Sequence, residues 1–423
     1  FWPKGYKTMS EPTAIPGADP ATTRIDRDET EVGSVFVSNY PAYSFWDEED
    51  VPKARQALAS PPNPDSQLGL YLHIPFCRKR CKFCYFRVYT DKNADQIQTY
   101  LDALAREVEH YAQQPAIQGR PLHFVYFGGG TPSYISSRHL RALVDRIKDV
   151  MPWDQADEIA FECEPGTLTK AKLETIRDIG LPRLSLGLEN LNDEILHHNG
   201  RAHVSKEIYQ VMPWVKELDF DQVNVDLIAG MVGETWERWR ETVQKTIDLD
   251  PDTVTVYQME LPYNTVYSKD LLSGDSEAIP LADWKTKRAW HAYAFEQFAA
   301  AGYTRSSAYT MKKTPEARFV YRDAVWTGQD MIGAGVASFS HMNGVHYQNA
   351  PRWEDYLGTI DRGDLPLHRA FATNRDEQLI RELILQLKLG AIDPAYFRAK
   401  FDADIIDIRR GGSSPGLVGL GHP

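Results

Sequence analysis

The sequence predicts an α/β protein with a parallel sheet covered by helices. Three observations carry this expectation. From Leu68 onward, β-rich apolar runs alternate with helix-period segments, giving six β/α units in about 200 residues. The strand runs are nearly continuous in apolar character, as expected when both faces of a sheet are covered. Hydrophobic residues make up 42% of 423 residues, enough for a sizeable core and for several domains or one large barrel.

In chain order, residues 1–66 are rich in Pro, Asp, Thr and Ser, with few apolar residues at any period. This reads as an extension that is partly disordered or wraps over the core. The strand candidates then follow as LGLYLHIPF, LHFVYF, EIAFECE, RLSLGLE, QVNVDLIAG and DTVTVYQME. Between them lie the helical segments YLDALAREVEHYAQQ, RHLRALVDRIKDVM, KLETIRDIG and ETWERWRETVQKTI. A second region, starting near Ser276, opens with the amphipathic WKTKRAWHAYAFEQFAAAGY and passes through Gly-punctuated β-like stretches. It closes on the helical NRDEQLIRELILQLKLG, and the end, RRGGSSPGLVGLGHP, reads as a flexible tail.

The net charge of -12 and pI near 5.5 argue against a nucleic-acid or anionic-membrane partner held by bulk electrostatics. No run of about 18 apolar residues predicts a membrane span, and the first residues lack the pattern of a secretory signal. Four cysteines, three of them crowded, do not make a disulfide framework; a reducing, cytoplasmic setting fits better.

The crowded cysteines lie in YLHIPFCRKRCKFCYF, Tyr71 to Phe86, as Cys77, Cys81 and Cys84. Thiolates hold iron–sulfur clusters, and a four-iron cluster usually takes four of them. Three at C-x3-C-x2-C spacing leave one iron open to a small ligand. Structural zinc, with Cys163 or His73 as fourth ligand, is the competing reading, but zinc sites usually pair C-x2-C with a distant second pair that this chain lacks. Directly after a strand comes FGGGTPS, Phe127 to Ser133, whose glycines allow close backbone approach to a ligand. It lacks the Lys-Ser/Thr of a phosphate loop. Later strands end in acidic groups, Glu162, Glu164, Glu189, Asp226 and Glu260, and in parallel barrels such strand ends line the active site. Trp236, Trp239 and Val243 read as core, His197 and His198 as surface loop, and Cys163 as a small buried apolar residue.

With YLHIPFC, YFGGGTPSYI, ECEPGTL, RLSLGLENLNDEILHHNGRAH, VNVDLIAGM and YQMELPYNT in order, the chain resembles the radical S-adenosylmethionine (SAM) superfamily. More narrowly it resembles the oxygen-independent coproporphyrinogen III oxidase and haem chaperone (HemN/HemW-like) family, and DMIGAGVASFS and QLIRELILQLKLG resemble that family's C-terminal domain. The resemblance implies a partial (β/α)6 TIM-like barrel over 67–275, a smaller C-terminal α+β domain over 276–404 and a tail over 405–423. It implies a [4Fe-4S] cluster on Cys77, Cys81 and Cys84 as the catalytic centre, and a first SAM contacted by Tyr71, Gly129, Glu162 and Phe339. A second SAM would be contacted by Phe83, Gly130, Thr131, Glu189, Arg201 and Asp226. The substrate implied is a tetrapyrrole whose propionates are decarboxylated, with an electron donor such as flavodoxin or ferredoxin. A haem-binding chaperone and a two-SAM radical methyltransferase are the alternatives. Two residues and one motif depart from the family patterns: Glu189 replaces a Gln, Phe86 stands where the oxidase has a fourth cysteine, and the chaperone's His-Asn-x-x-Tyr-Trp is YRDAVW, Tyr321 to Trp326.

Overall fold

The computed structural model describes residues 30, 32–33, 40–273 and 281–406. The six strand candidates are strands: β1 Leu68–Ile74, β2 Leu122–Gly129, β3 Glu158–Cys163, β4 Arg183–Glu189, β5 Gln222–Ala229 and β6 Thr253–Gln258. They pair in parallel and in chain order. Helix α1 (Val51–Ala59) precedes the sheet. The returns between strands run through α2 (Ala94–Ala112), α3 (Ser137–Val150), α4 (Lys170–Asp178), α5 (Asp193–His198) with α6 (Ser205–Glu217), and α7 (Trp236–Leu249). Asn93, Ser136, Thr169 and Thr235 each accept a backbone N–H three residues on, satisfying donors that would be orphaned at the starts of α2, α3, α4 and α7.

Side chains alternate along every barrel strand. Leu70, Val125, Phe161, Leu184, Val225 and Val254 face the helices and form the main core. The inner face is different. Phe124, Tyr126 and Ala160 form an apolar patch, whereas Ser185, Asn224, Asp226, Thr253 and Thr255 form a hydrogen-bonded polar wall. Both faces are covered, as the apolar runs imply, yet the barrel interior is built to hold polar groups.

The C-terminal part adds its strands to the same sheet. After α8 (Val266–Ser273) and α9 (Trp284–Ala300), β7 (Thr304–Arg305) and β8 (Thr310–Lys312) extend the β6 edge. After α10 (Val320–Trp326), β9 (Asp330–Ala334) pairs in parallel with β1. Strands β10 (Phe339–Met342), β11 (Val345–Asn349) and β12 (Leu367–Ala372) continue antiparallel, giving one 12-stranded sheet among the described residues. Helices α11 (Trp353–Asp361), α12 (Arg375–Gln386) and α13 (Pro394–Phe401) complete the chain.

Helix α10 closes the floor of the barrel. The N–H groups of Val320 and Tyr321 each donate to the buried Glu158 carboxylate at 3.1 Å, and Arg183 stands 3.3 Å from the same group. The segment before the sheet is packed where it is described: α1 buries Ala54, Ala57 and Leu58 in the main core, and Asp47 bridges to Ala370. The expected boundary at Ser276 and the tail beyond 406 lie outside the described residues, as does most of 1–39. Two expectations need correction. Trp236 is 38% exposed, because it sits in the first turn of α7 and meets Trp290 only edge-on, whereas Trp239 and Val243 are buried. His197 and His198 are exposed but end a short helix, α5, rather than lie in a loop.

Candidate active site

The loop leaving β1 carries the three thiols and is fastened by backbone. Cys77 N donates to Tyr89 O (3.1 Å), Lys82 N to Asn199 O (3.1 Å), and Arg80 reaches the carbonyl of Cys84 (3.1 Å). The glycine loop packs directly on it: Gly130 N donates to Ile74 O at 2.8 Å, and a Cβ on Gly130 would lie 2.9 Å from the backbone of Pro75 and Phe76. Gly129 has φ +112°, and a Cβ there would meet the His73 ring at 2.6 Å. Glycine is required at both points, one for approach and one for conformation.

Two donors aim at the sulfurs. Thr131 Oγ1 lies 3.4 Å from Cys77 Sγ, and Arg201 Nη1 lies 3.3 Å from Cys81 Sγ. Burial pushes the Cys77 thiol up to about 12 and the Cys84 thiol up to about 11, with neighbouring thiol charge adding to both shifts. Thiols this costly to ionise unaided suit a site where iron supplies positive charge. Cys163 does not join them: it is buried on the helix side of β3, with Sγ toward Phe161 O. His73 packs under Gly129. Among the described residues no three His, Cys, Asp or Glu side chains close on a single ion, as tetrahedral zinc would need. The donor set fits an iron–sulfur cluster.

Three half-buried carboxylates stand close together, Glu162 and Glu189 at the ends of β3 and β4 and Asp226 in the middle of β5, paired with Gly187 rather than at the strand end the sequence suggested. Glu162 accepts from Tyr126 Oη (2.8 Å) and from Gly129 N (3.2 Å). Burial raises it to about 7, with Asp226 and Glu189 adding to the shift against those two donors. Glu189 sits at φ +64°, where a register shift between Gly187 and Glu189 disturbs the β4–β5 ladder. A bulge re-aims a side chain, and left-handed non-glycine backbone gathers at functional sites. Here it turns Glu189 to face Arg201 at 3.6 Å; burial raises its carboxyl to about 7, against the pull of Arg201. Asp226 is also raised by burial, opposed by hydrogen bonds from Asn224 (2.9 Å) and Ser185 (3.0 Å). Arg201 donates to Gly187 O at 2.6 Å, while its Nε has no partner among the described residues. One guanidinium among three carboxylates leaves a site suited to a cationic ligand.

Aromatic rings line the opposite wall. Tyr71 stacks on Tyr126 at 6.0 Å between centroids, and Tyr126 stacks on Tyr321 at 4.4 Å. Phe339 stacks on Tyr43 at 4.5 Å. Phe83 packs with Ile195, Ile228 and Met231 in a separate apolar cluster.

The expected residues therefore gather in three sets: thiols with Gly130, Thr131 and Arg201; carboxylates with Gly129; and Tyr71 in the aromatic wall. Glu164 stands apart. It accepts from His203 (2.9 Å), Arg78 (3.2 Å) and Gly166 N (3.1 Å), a bracing role for the cluster loop. Sequence reasoning missed Tyr126, Tyr43 and Arg78. Tyr126 had a signal, since it alternates with Phe124 toward Gly128 on the inner face. Tyr43 and Arg78 had none, because their partners lie far along the chain.

Residues 71–246 match the family model of the radical SAM superfamily. The chain is 28% identical over 389 residues to the oxygen-independent coproporphyrinogen III oxidase of Synechocystis, covering 88% of this chain and 82% of that protein. It is 26% identical over 344 residues to the heme chaperone HemW of Bacillus subtilis, covering 78% and 86%. The fold matches coproporphyrinogen III oxidase (HemN) from Escherichia coli with a TM-score of 0.76 at 23% identity, over 88% of this chain and 86% of that one. With the three thiols in the loop after β1 of the matching segment, residues 71–246 carry the radical SAM pattern, and the chain is similar to coproporphyrinogen oxidases and heme chaperones.

Proposed function

We propose that the protein is a radical SAM oxidoreductase that takes hydrogen from the propionates of a tetrapyrrole, which then lose carbon dioxide to leave vinyl groups. The observation that carries this reading is the gathering of three thiols, three half-buried carboxylates and the Arg201 guanidinium at a single barrel mouth. A reduced [4Fe-4S] cluster with SAM, when bound, supplies the hydrogen-abstracting radical. Cys77, Cys81 and Cys84 hold the cluster, and the donors on Thr131 and Arg201 tune its sulfurs. Tyr71, Gly129, Glu162 and Phe339 hold the first SAM. Phe83, Gly130, Thr131, Glu189, Arg201 and Asp226 hold a second, whose cationic centre relieves the crowding of carboxylates. Each propionate gives up one hydrogen atom, one molecule of carbon dioxide and one electron. That electron needs an acceptor, and the cluster needs a donor such as flavodoxin or ferredoxin.

The similarity to a coproporphyrinogen oxidase over most of both chains supports the tetrapyrrole, and the altered YRDAVW segment speaks for turnover over haem carriage: Tyr321 is stacked against Tyr126, and the segment has no histidine. The test is anaerobic incubation of the reconstituted protein with reductant, SAM and coproporphyrinogen III, read by mass spectrometry. Loss of propionates as vinyl groups is expected; an unchanged porphyrinogen beside cleaved SAM overturns the substrate.

A further inference from the structure

One row of side chains runs from the radical site out across the C-terminal strands. Tyr71 on β1 pairs with Gly333 on β9. Gly333 lies against the backbone of Phe339 so closely that a Cβ would sit 2.1 Å from the Phe339 carbonyl oxygen. Phe339 pairs with Gln348 on β11, and Gln348 pairs with Arg369 on β12. Side chains at paired positions share a sheet face, so Arg369 stands on the face of Tyr71 and Phe339. Four strand spacings put it about 19 Å along the sheet from Tyr71.

Arg369 is half-buried, and its guanidinium is incompletely used. Nε donates to Gln348 Oε1 at 2.6 Å, Nη1 donates to the Tyr43 carbonyl at 2.9 Å, and the plane lies 6.0 Å from the Trp46 ring. Among the described residues Nη2 has no hydrogen bond and no carboxylate pairs with the group. Tyr43 stacks on Phe339 at 4.5 Å between ring centroids. A desolvated cation without a counter-ion is costly, and burial lowers this one below the ordinary guanidinium value. Three other arginines of low exposure face carboxylates, Arg183 with Glu158, Arg201 with Glu189 and Arg120 with Asp330.

We propose that Arg369 is a specificity-determining residue that receives a carboxylate of the substrate while another of its propionates lies at the radical site near Tyr71. The inference rests on the tetrapyrrole reading above. Phe339 and Tyr43 give a flat apolar surface between the two ends, and Gln348 and the Tyr43 carbonyl hold the guanidinium with Nη2 outward.

The competing role is structural, with Arg369 only fastening the Tyr43–Trp46 segment to β12. Binding of coproporphyrin III and of its tetramethyl ester, both measured by fluorescence on the reconstituted protein, separates the two. A charge-assisted hydrogen bond implies at least about tenfold weaker binding of the acid by R369Q. Affinity for the ester should match that of the wild-type protein, and R369K should regain part of the affinity for the acid. Equal losses for acid and ester in R369Q, or no loss for either, overturn the role of Arg369 and leave the substrate reading intact. A wild-type protein that binds neither porphyrin overturns both.

Discussion

Cys81 and Cys163 place the same atom in two environments, and the difference assigns them. Cys81 Sγ takes a donor from Arg201 in a half-exposed loop, whereas Cys163 Sγ faces its own strand in the core, where burial raises its thiol far above the usual range. Reconstituted Cys81→Ala should lose its iron and all SAM cleavage. Cys163→Ala should keep both and lose only about 1 kcal/mol of stability for the vacated volume, checked by iron content and thermal unfolding. Glu162→Ala removes an acceptor shared by Tyr126 and Gly129 and should weaken SAM binding by about 2 kcal/mol, roughly thirtyfold, by equilibrium dialysis. At this scale the thiols and Glu162 were legible from spacing and strand ends, and Arg201 only from the family resemblance. The direction of Glu189 was not, because it depends on a bulge and a left-handed backbone that its residue type does not announce.

Elements are tied together by buried polar groups that no local pattern reveals. Glu107, on the inner face of α2, accepts from Gly335 N (2.8 Å), Asn349 Nδ2 (2.6 Å) and Tyr356 Oη (2.6 Å), so one carboxyl joins α2, the turn after β9, β11 and α11. That turn leads into Phe339. Burial raises Glu107 to about 7, against those three donors. The unfolded chain ionises it near the ordinary 4.5, so between about 4.5 and 7 the folded state holds more protons. Its contribution to stability is therefore greatest below 4.5 and falls as pH rises through 7, by about 3 kcal/mol in all. Glu107→Gln should abolish this slope: relative to wild type the variant gains stability from pH 5 to pH 8 in denaturant titrations. A constant difference across that range would place the carboxyl in an ionised state throughout. In α2 the sequence shows an amphipathic helix, and a Glu on its apolar face was the only hint of the tie.

Across the whole molecule, the six β/α units were legible because nearly continuous apolar runs alternate with helix-period segments. How the C-terminal part attaches was not. Its strands are short, and pairing β9 to β1 joins Leu68 to Asp330 across more than half of the chain, a non-local choice that packing decides. The result is a single sheet that carries Tyr71, Phe339 and Arg369 on one face. The absence among the described residues of any helix long and apolar enough to cross a membrane agrees with the composition. The most direct measurement is the coupling ratio in the anaerobically reconstituted protein, expected to hold about four irons per chain as a single cluster. With coproporphyrinogen III present, SAM cleavage should rise and track the propionates lost, mole for mole. Stoichiometric haem binding with no tetrapyrrole product, and SAM cleavage indifferent to coproporphyrinogen III, would contradict it.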